Sequence, residues 1–292
     1  MLSYLHAYHA GNHADILKHI VLSEVIRYME KKDKPFTFFD THSGSGLYKV
    51  SDDRAQKTGE INRGILLLKD KLKASESSVE ALNAYLSFVD SYLDKGEYPG
   101  SPYIEADLLR KEDFLVLSEL HPAESENLKA NMDTKVRLKK NSCHISVHKR
   151  NGFEMLESLT PPKTKRGCVL IDPSYEEISD YSDVADAVLK VFKKWSGGVF
   201  MVWYPLLSYR LGTIENMVER ITEGVHMLSP NTDVNDFRLC VSSENAHEET
   251  SLSETASPRL YGSGMLLVNT PWTLPDTMKK TLPVLEEFLK NC

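Results

Sequence analysis

The stretch that organises the sequence is "KPFTFFDTHSGSG", residues 34–46. Its aromatic run, residues 36–39, is typical of a short buried strand, and Asp40 with the glycine turn after it ends that strand. Gly44 and Gly46 have no side chain, so a ligand can approach the backbone closely there. The stretch therefore predicts a strand whose carboxyl end binds a ligand.

Further apolar runs follow this strand, and helical patterns separate most of them. The runs are 114–120, 143–149, 167–173, 197–205, 237–243 and 264–270, and the helical stretches are 123–133, 152–159, 180–194, 208–223 and 275–290. Strands that alternate with helices favour a mostly parallel sheet with helices on both faces. We therefore predict the fold class α/β, with an open Rossmann-like sheet.

One segment interrupts this alternation. Residues 51–98 are charged and helical, with "GILLLKDKL" and "VEALNAYLSFVDSYL" as two helices and no strand signal between them. We therefore expect a small inserted helical subdomain, 51–98, within a single domain that spans 1–292.

Composition excludes several classes of protein. Hydrophobic residues make up 41% of the chain, yet no apolar run approaches the roughly 20 residues that cross a bilayer, so we expect a cytoplasmic protein without membrane contact. The four cysteines are scattered, and the histidines His6, His9, His13 and His19 have no carboxylate or thiol spaced to complete a metal site, so we expect no metal. A net charge of -7 disfavours nucleic acid mildly, although basic residues gather between 129 and 150.

The residues at strand ends indicate the class of ligand. Glu119, in "LSELHP", ends the next strand, where sheets of this kind bind the hydroxyl pair of a ribose, once the insertion is subtracted from the spacing. A dinucleotide requires a third glycine for its pyrophosphate, but Gly46 is followed by Leu47, Tyr48 and Lys49. S-adenosylmethionine has no phosphate and fits the shorter glycine turn better, with Gly44 as a contact.

A second strand end suggests the reaction. In "CVLIDPSYEE", residues 168–177, an apolar strand leads directly into Asp172, Pro173 and Tyr175. The lone pair of an exocyclic base amine is delocalised into the ring, and hydrogen bonds to the Asp172 carboxylate and the Pro173 carbonyl would draw the amine towards tetrahedral geometry. Tyr175 could stack on a base taken out of its helix.

These motifs give the chain a close resemblance to a known family, the bacterial 23S rRNA (adenine-2030-N6)-methyltransferases, also called RNA large subunit methyltransferase J. The resemblance covers nearly the whole chain. It depends on "MLSYLHAYHAGNHADILKH" at the start, "FFDTHSGSGLY", "YPGSP", "LSELHP", "NGFE", "LIDPSYE" and "WYP". The first of these is the most specific, because few other methyltransferases open with HAGNHAD.

The resemblance implies roles for particular residues. Asp172 would be the catalytic proton acceptor, and Tyr4 would contact the substrate RNA. The cofactor contacts would be His19, His42, Ser101, Glu119, Asn151 and Gly152. The resemblance also implies S-adenosyl-L-methionine as cofactor, 23S ribosomal RNA as partner and a monomeric enzyme.

Two positions depart from the family pattern. The family usually has Pro where Ser174 stands and Asp where Asn151 stands. Ser174 leaves Pro173 in place but frees one pair of backbone torsions. Asn151 retains an acceptor oxygen for an amine but lacks the negative charge.

Three alternatives remain open on the sequence alone. The Asp-Pro-x-aromatic turn serves the same chemistry in adenine methyltransferases that act on DNA. A non-catalytic RNA-binding or assembly protein on the same fold would accommodate Ser174 and Asn151. A nucleotide-dependent oxidoreductase is disfavoured by the missing third glycine.

Overall fold

The structure, a computed structural model, describes residues 6–75, 78–139, 142–242 and 260–290, so Tyr4 lies outside the described residues. Nine strands lie within these ranges. They are β1 Thr37–Asp40, β2 Leu47–Lys49, β3 Glu97–Pro99, β4 Phe114–Ser118, β5 His144–His148, β6 Gly167–Ile171, β7 Val199–Leu206, β8 Val234–Cys240 and β9 Gly262–Val268.

Seven of the strands form one sheet in the order β5-β4-β1-β6-β7-β9-β8. The first five strands in this order, β5, β4, β1, β6 and β7, are parallel to one another. Strand β9 pairs antiparallel with both β7 and β8. Strands β4 and β5 lie on one side of β1, and β6 and β7 lie on the other. The carboxyl end of β1 is therefore the topological switch point at which such sheets bind ligands. The predicted α/β class with a Rossmann-like sheet is confirmed.

Ten α-helices lie within the described ranges. They are α1 His13–Glu30, α2 Asp53–Thr58, α3 Leu67–Ser75, α4 Glu80–Leu93, α5 Ser101–Leu108, α6 Pro122–Leu138, α7 Gly152–Leu159, α8 Ser179–Lys194, α9 Leu211–Leu228 and α10 Leu274–Phe288. The sequence pattern predicts α6 to α10 within a few residues, but it misses α5. None of the helices in these ranges has the length and apolar character needed to cross a membrane.

The two faces of the sheet bury two separate apolar cores. Side chains alternate along each strand, so Phe38 and Leu170 face one core while Phe39 and Val169 face the other. The first core includes α1, α4 and α10, and the second includes α8 and α9. This two-sided cover explains why the central strands read as continuous apolar runs in the sequence.

The insertion after β1 contains α2, a π-helical turn at Asn62–Leu66, α3 and α4. The short antiparallel pair β2–β3 closes its base, which the sequence pattern does not predict. Helices α3 and α4 contact α10, and α4 also contacts α1. The insertion is therefore packed against the sheet's own helices, and its role as a subdomain, 51–98, stays a prediction.

Two lysines of the basic stretch make internal contacts. The Lys139 ammonium donates to the backbone carbonyls of Ala106 and Asp107 at 2.7 and 3.0 Å, at the carboxyl end of α5. Lys135 pairs with Asp107 at 2.6 Å. These cations stabilise the end of a helix, where unpaired carbonyls concentrate negative charge, and are engaged within the protein.

The backbone of the insertion meets the start of the chain at Gly64. The Ile65 amide donates to the Gly11 carbonyl at 2.9 Å, which brings the neighbouring Gly64 so close that a Cβ there would lie 2.1 Å from the Gly11 oxygen. Only glycine therefore fits this contact.

We predict that Gly64→Ala lowers the free energy of unfolding by about 1–3 kcal/mol, because the new methyl group would force the two backbones apart. Gly212→Ala is the matched control, since a Cβ at Gly212 has no atom within 4 Å. Urea unfolding of both variants measures the difference. Equal stability of the two variants would show that the contact is not close in solution.

Candidate active site

A cavity of about 680 Å³ opens at the carboxyl ends of the central strands. The amino-terminal end of α1, the start of α5 and residues of the insertion, among them Glu60 and Arg63, also line it. The strand-end residues of its lining include His42 and Gly44 after β1, Glu119 after β4, and Asp172 and Pro173 after β6, and Trp203 lines it from within β7. The structure thus brings together the strand ends that the sequence singles out.

The glycine turn after β1 is held by Glu119. Gly44 and Gly46 have φ angles of +57° and +77°, a left-handed conformation that favours glycine. One oxygen of Glu119 accepts the Gly44 amide at 2.8 Å, and the other accepts the His121 amide at 2.7 Å. Burial raises the pKa of Glu119, while these two amides oppose the shift. The carboxylate therefore fixes the two loops to one another at the cavity wall.

Asp40, the last residue of β1, lies behind the wall. It is fully buried, and its carboxylate accepts the Ser101 hydroxyl at 2.7 Å and the His42 amide at 3.1 Å. Burial raises the pKa of Asp40 to about 6, with the Ser101 hydrogen bond acting in the opposite direction. Asp40 thus ties Ser101, a predicted cofactor contact that lines the cavity, to the end of the central strand.

Asp172 directly follows β6, and a buried lysine of α1 engages it. The Lys18 ammonium lies 2.6 Å from Asp172 Oδ2 and 2.9 Å from Asp15 Oδ1. Burial raises the pKa of Asp172, and the Lys18 charge opposes that rise. Burial alone would lower the pKa of Lys18, but the two carboxylates raise it well above its usual value. The lysine is therefore charged.

Asp15 is the centre of a second set of contacts. Its Oδ2 accepts the His6 Nε2 at 3.0 Å and the Gly11 amide at 2.9 Å, while its own amide donates to Asn12. Burial acts to raise the pKa of Asp15, but the His6 hydrogen bond and the Lys18 ammonium beside it hold that pKa well below its usual range. Asp15 and Lys18 lie three positions apart and are both buried on α1, and the sequence pattern does not predict either as a site residue.

Tyr175 has a conformation that the sequence does not predict. Its φ angle is +52°, its side chain is 3% exposed, and its hydroxyl donates to the Trp203 carbonyl at 2.7 Å. The ring packs against Tyr181, with centroids 4.6 Å apart. The strand end therefore does not present an exposed aromatic ring in this structure, and stacking of Tyr175 on a base stays a prediction.

His42 lines the cavity, and its Nδ1 lies 2.8 Å from the Thr41 hydroxyl. Burial lowers the pKa of His42 to about 4. His19 is buried behind the cavity, where its Nδ1 lies 3.3 Å from the Tyr85 hydroxyl and 3.2 Å from that of Tyr98. The structure therefore places His42 where it could contact a ligand, and His19 one layer deeper.

Asn151 caps α7 and Gly152 is its first residue, which lies against the backbone that follows β1. The Asn151 side chain caps α7 by accepting the amides of Phe153 and Glu154 at 2.9 and 3.1 Å. A Cβ at Gly152 would lie 2.0 Å from the Thr41 carbonyl oxygen. Neither residue lines the cavity, so their contact with a cofactor stays a prediction.

The histidines near the amino terminus lie beside carboxylates or are buried. His9 Nδ1 lies 3.0 Å from a carboxylate oxygen of Glu60, and burial lowers the pKa of His13 to about 4. Across the described ranges, no group of three or more His, Cys, Asp or Glu side chains could hold a metal ion.

Comparison with known proteins assigns the family. Residues 33–292 match the model of the family described as ribosomal RNA large subunit methyltransferase D, RlmJ. Two relatives named ribosomal RNA large subunit methyltransferase J are each 35% identical to this chain. The relative from Escherichia coli K12 aligns over 294 residues and that from Haemophilus influenzae Rd over 289, each covering 99% of this chain and 94% of the relative.

A solved structure extends the match to three dimensions. A protein from Legionella pneumophila strain Philadelphia 1 superposes with a TM-score of 0.76 at 29% identity, over 96% of this chain and 94% of that one. Sequence and fold agree over nearly the whole length, so the chain belongs to the ribosomal RNA large subunit methyltransferase J family.

Proposed function

We propose that this protein transfers a methyl group from S-adenosyl-L-methionine to N6 of one adenine in 23S ribosomal RNA, adenine-2030 by the family resemblance. The observation that carries the proposal is the Asp172 carboxylate, placed at the end of β6 on the cavity wall and paired with Lys18 at 2.6 Å. The names of the relatives support ribosomal RNA as the substrate. We propose further that the enzyme is cytoplasmic and acts as a monomer.

The charge of the cavity supports S-adenosylmethionine as the cofactor. Among the residues that the structure describes, the cavity is lined by one lysine and one arginine, Lys18 and Arg63, and by six carboxylates. The carboxylates belong to Asp15, Glu60, Glu119, Glu124, Asp172 and Glu176. This lining attracts a ligand that carries a sulfonium and an ammonium group, and repels a pyrophosphate. Glu119 would hold the ribose hydroxyls, and His42, Gly44 and Ser101 would line the same ligand. When bound, the cofactor supplies a methyl group on a positively charged sulfur.

The residues of the chain would activate and orient the base. Oδ2 of Asp172 accepts a hydrogen bond from Lys18, which leaves Oδ1 for one proton of the exocyclic amine. The Pro173 carbonyl would accept the other proton, so that the lone pair turns towards the methyl group. After methyl transfer the nitrogen carries one proton too many, and Asp172 would accept it. The rate of methyl transfer then depends on how well the amine is held in line with the methyl group.

We predict that Asp172→Asn lowers the rate of methyl transfer by at least about a hundredfold, because an amide cannot accept the amine proton. The assay follows tritium from labelled cofactor into 23S RNA, with nucleoside mass spectrometry identifying the product. Asp183→Asn, at an exposed position on α8, is the matched control. An active Asp172→Asn variant would contradict the proposed mechanism, and transfer to duplex DNA instead of RNA would favour a DNA methyltransferase.

We predict that Lys18→Met moves the acidic limb of the pH–rate profile to higher pH. A nearby cation lowers the pKa of a carboxyl group, so its removal raises the pKa of Asp172, and the ionised form is then lost at a higher pH. The measurement is kcat/KM from about pH 5 to about pH 9. Lys190→Met, an exposed lysine on α8, is the control. An unchanged acidic limb would show that the ion pair does not set the ionisation of Asp172.

We predict that Glu119→Gln weakens S-adenosylmethionine binding by about ten- to a hundredfold, because the glutamine nitrogen cannot accept a backbone amide, so one of the two hydrogen bonds is lost and the other loses its charge. Calorimetry of the variant, beside Glu126→Gln at an exposed position of α6, measures the dissociation constants. NAD is the second ligand tested on the wild-type protein. Binding of NAD without binding of S-adenosylmethionine would overturn the cofactor assignment.

A further inference from the structure

The loop that carries Asp172 has an unusual backbone. Tyr175 has a φ angle of +52°, a region that residues with a side chain seldom adopt. Such a conformation persists where surrounding contacts impose it. Ser174, an exposed residue, does not restrict its own torsions as a proline would. The loop therefore needs a contact from elsewhere in the chain to hold it.

Arg210 contacts the backbone of this loop, in addition to the hydrogen bond that the Tyr175 hydroxyl donates to the Trp203 carbonyl. Its Nη1 donates to the Tyr175 carbonyl at 2.6 Å, and its Nη2 donates to the Glu176 carbonyl at 3.0 Å. The two nitrogens of one planar guanidinium thus bind two successive carbonyls of the loop, a geometry that lysine cannot reproduce. Arg210 immediately precedes α9, on the segment that follows β7.

Aromatic rings hold the guanidinium in place. Its central carbon lies 5.8 Å from the centre of the Tyr181 ring and 5.4 Å from that of Tyr209. Tyr181 is 1% exposed and packs against Tyr175, so the arginine and the loop share one aromatic support. The guanidinium is therefore positioned before any ligand arrives.

We propose that Arg210 is a positioning residue, which holds the 172–176 loop so that the Asp172 carboxylate and the Pro173 carbonyl face the reacting amine. This inference rests on the function proposed above. Arg210 acts through the loop backbone, so its loss lowers kcat while KM for the cofactor stays nearly constant. Arg210 thereby compensates for Ser174, because its two hydrogen bonds restrict a loop that a proline at position 174 would otherwise stiffen.

The first experiment measures the loop without substrate or cofactor. Hydrogen–deuterium exchange of peptides that cover 172–177 is compared between the wild-type chain, Arg210→Ala and the control Arg220→Ala, which removes an exposed arginine that pairs with Asp186 on α8. We expect faster exchange in this loop for Arg210→Ala alone, with equal thermal unfolding of the two variants. Unchanged exchange would overturn the inference whatever the protein catalyses.

The second experiment measures catalysis. We expect a fall in kcat of about 10- to 100-fold for Arg210→Ala, because small displacements of a catalytic group have effects of this size. Ser174→Pro should restore part of the lost kcat in the Arg210→Ala background, since it stiffens the same loop. A normal kcat in Arg210→Ala would contradict the positioning role. So would a failure of Ser174→Pro to rescue Arg210→Ala, provided that Ser174→Pro alone is active. Absence of adenine methylation by the wild-type protein would instead overturn the proposed function.

Discussion

The buried ammonium of Lys18, held between Asp15 and Asp172, is the interaction on which the site depends. It joins the first helix to the central strand β6 across 154 residues of sequence. Burying a charge is costly unless opposite charges pair with it, and removing one member of such a group leaves an uncompensated charge. Helix α1 is therefore fixed in rotation and register by electrostatics, in addition to its apolar packing.

This arrangement explains the contacts made by the polar side chains that precede and begin α1. His6 and Gly11 donate to Asp15, and Asn12 caps the helix with its oxygen while its amide nitrogen donates to Glu60 at 3.0 Å. The amino-terminal segment thus lies between the insertion and the strand ends and contacts both. A segment so placed closes one side of the cavity, and the insertion contributes Glu60 and Arg63 to the same wall.

The sequence predicts most of the fold because periodicity is a local property. Strands that are buried on both faces read as apolar runs, and the amphipathic stretches of α8, α9 and α10 read as helices. Helix α5 is short and directly follows a proline-rich turn, so its sequence shows no clear helical spacing of apolar residues. Lys135 and Lys139 show a related limit: their charge is visible in the sequence, whereas the helix end that Lys139 stabilises belongs to another part of the chain.

The candidate site is less predictable because its geometry depends on distant pairs. The strand-end residues Asp172, Glu119 and Gly44 follow from topology, since the carboxyl ends of parallel strands meet at one edge. Which way a side chain turns there depends on its local backbone, and the left-handed conformation of Tyr175 directs the ring into the core. A substrate base would therefore meet an ion pair and a backbone carbonyl first. Under the proposed function, electrostatic and main-chain contacts would define the reacting position, and Tyr175 and Tyr181 would hold the loop that presents them.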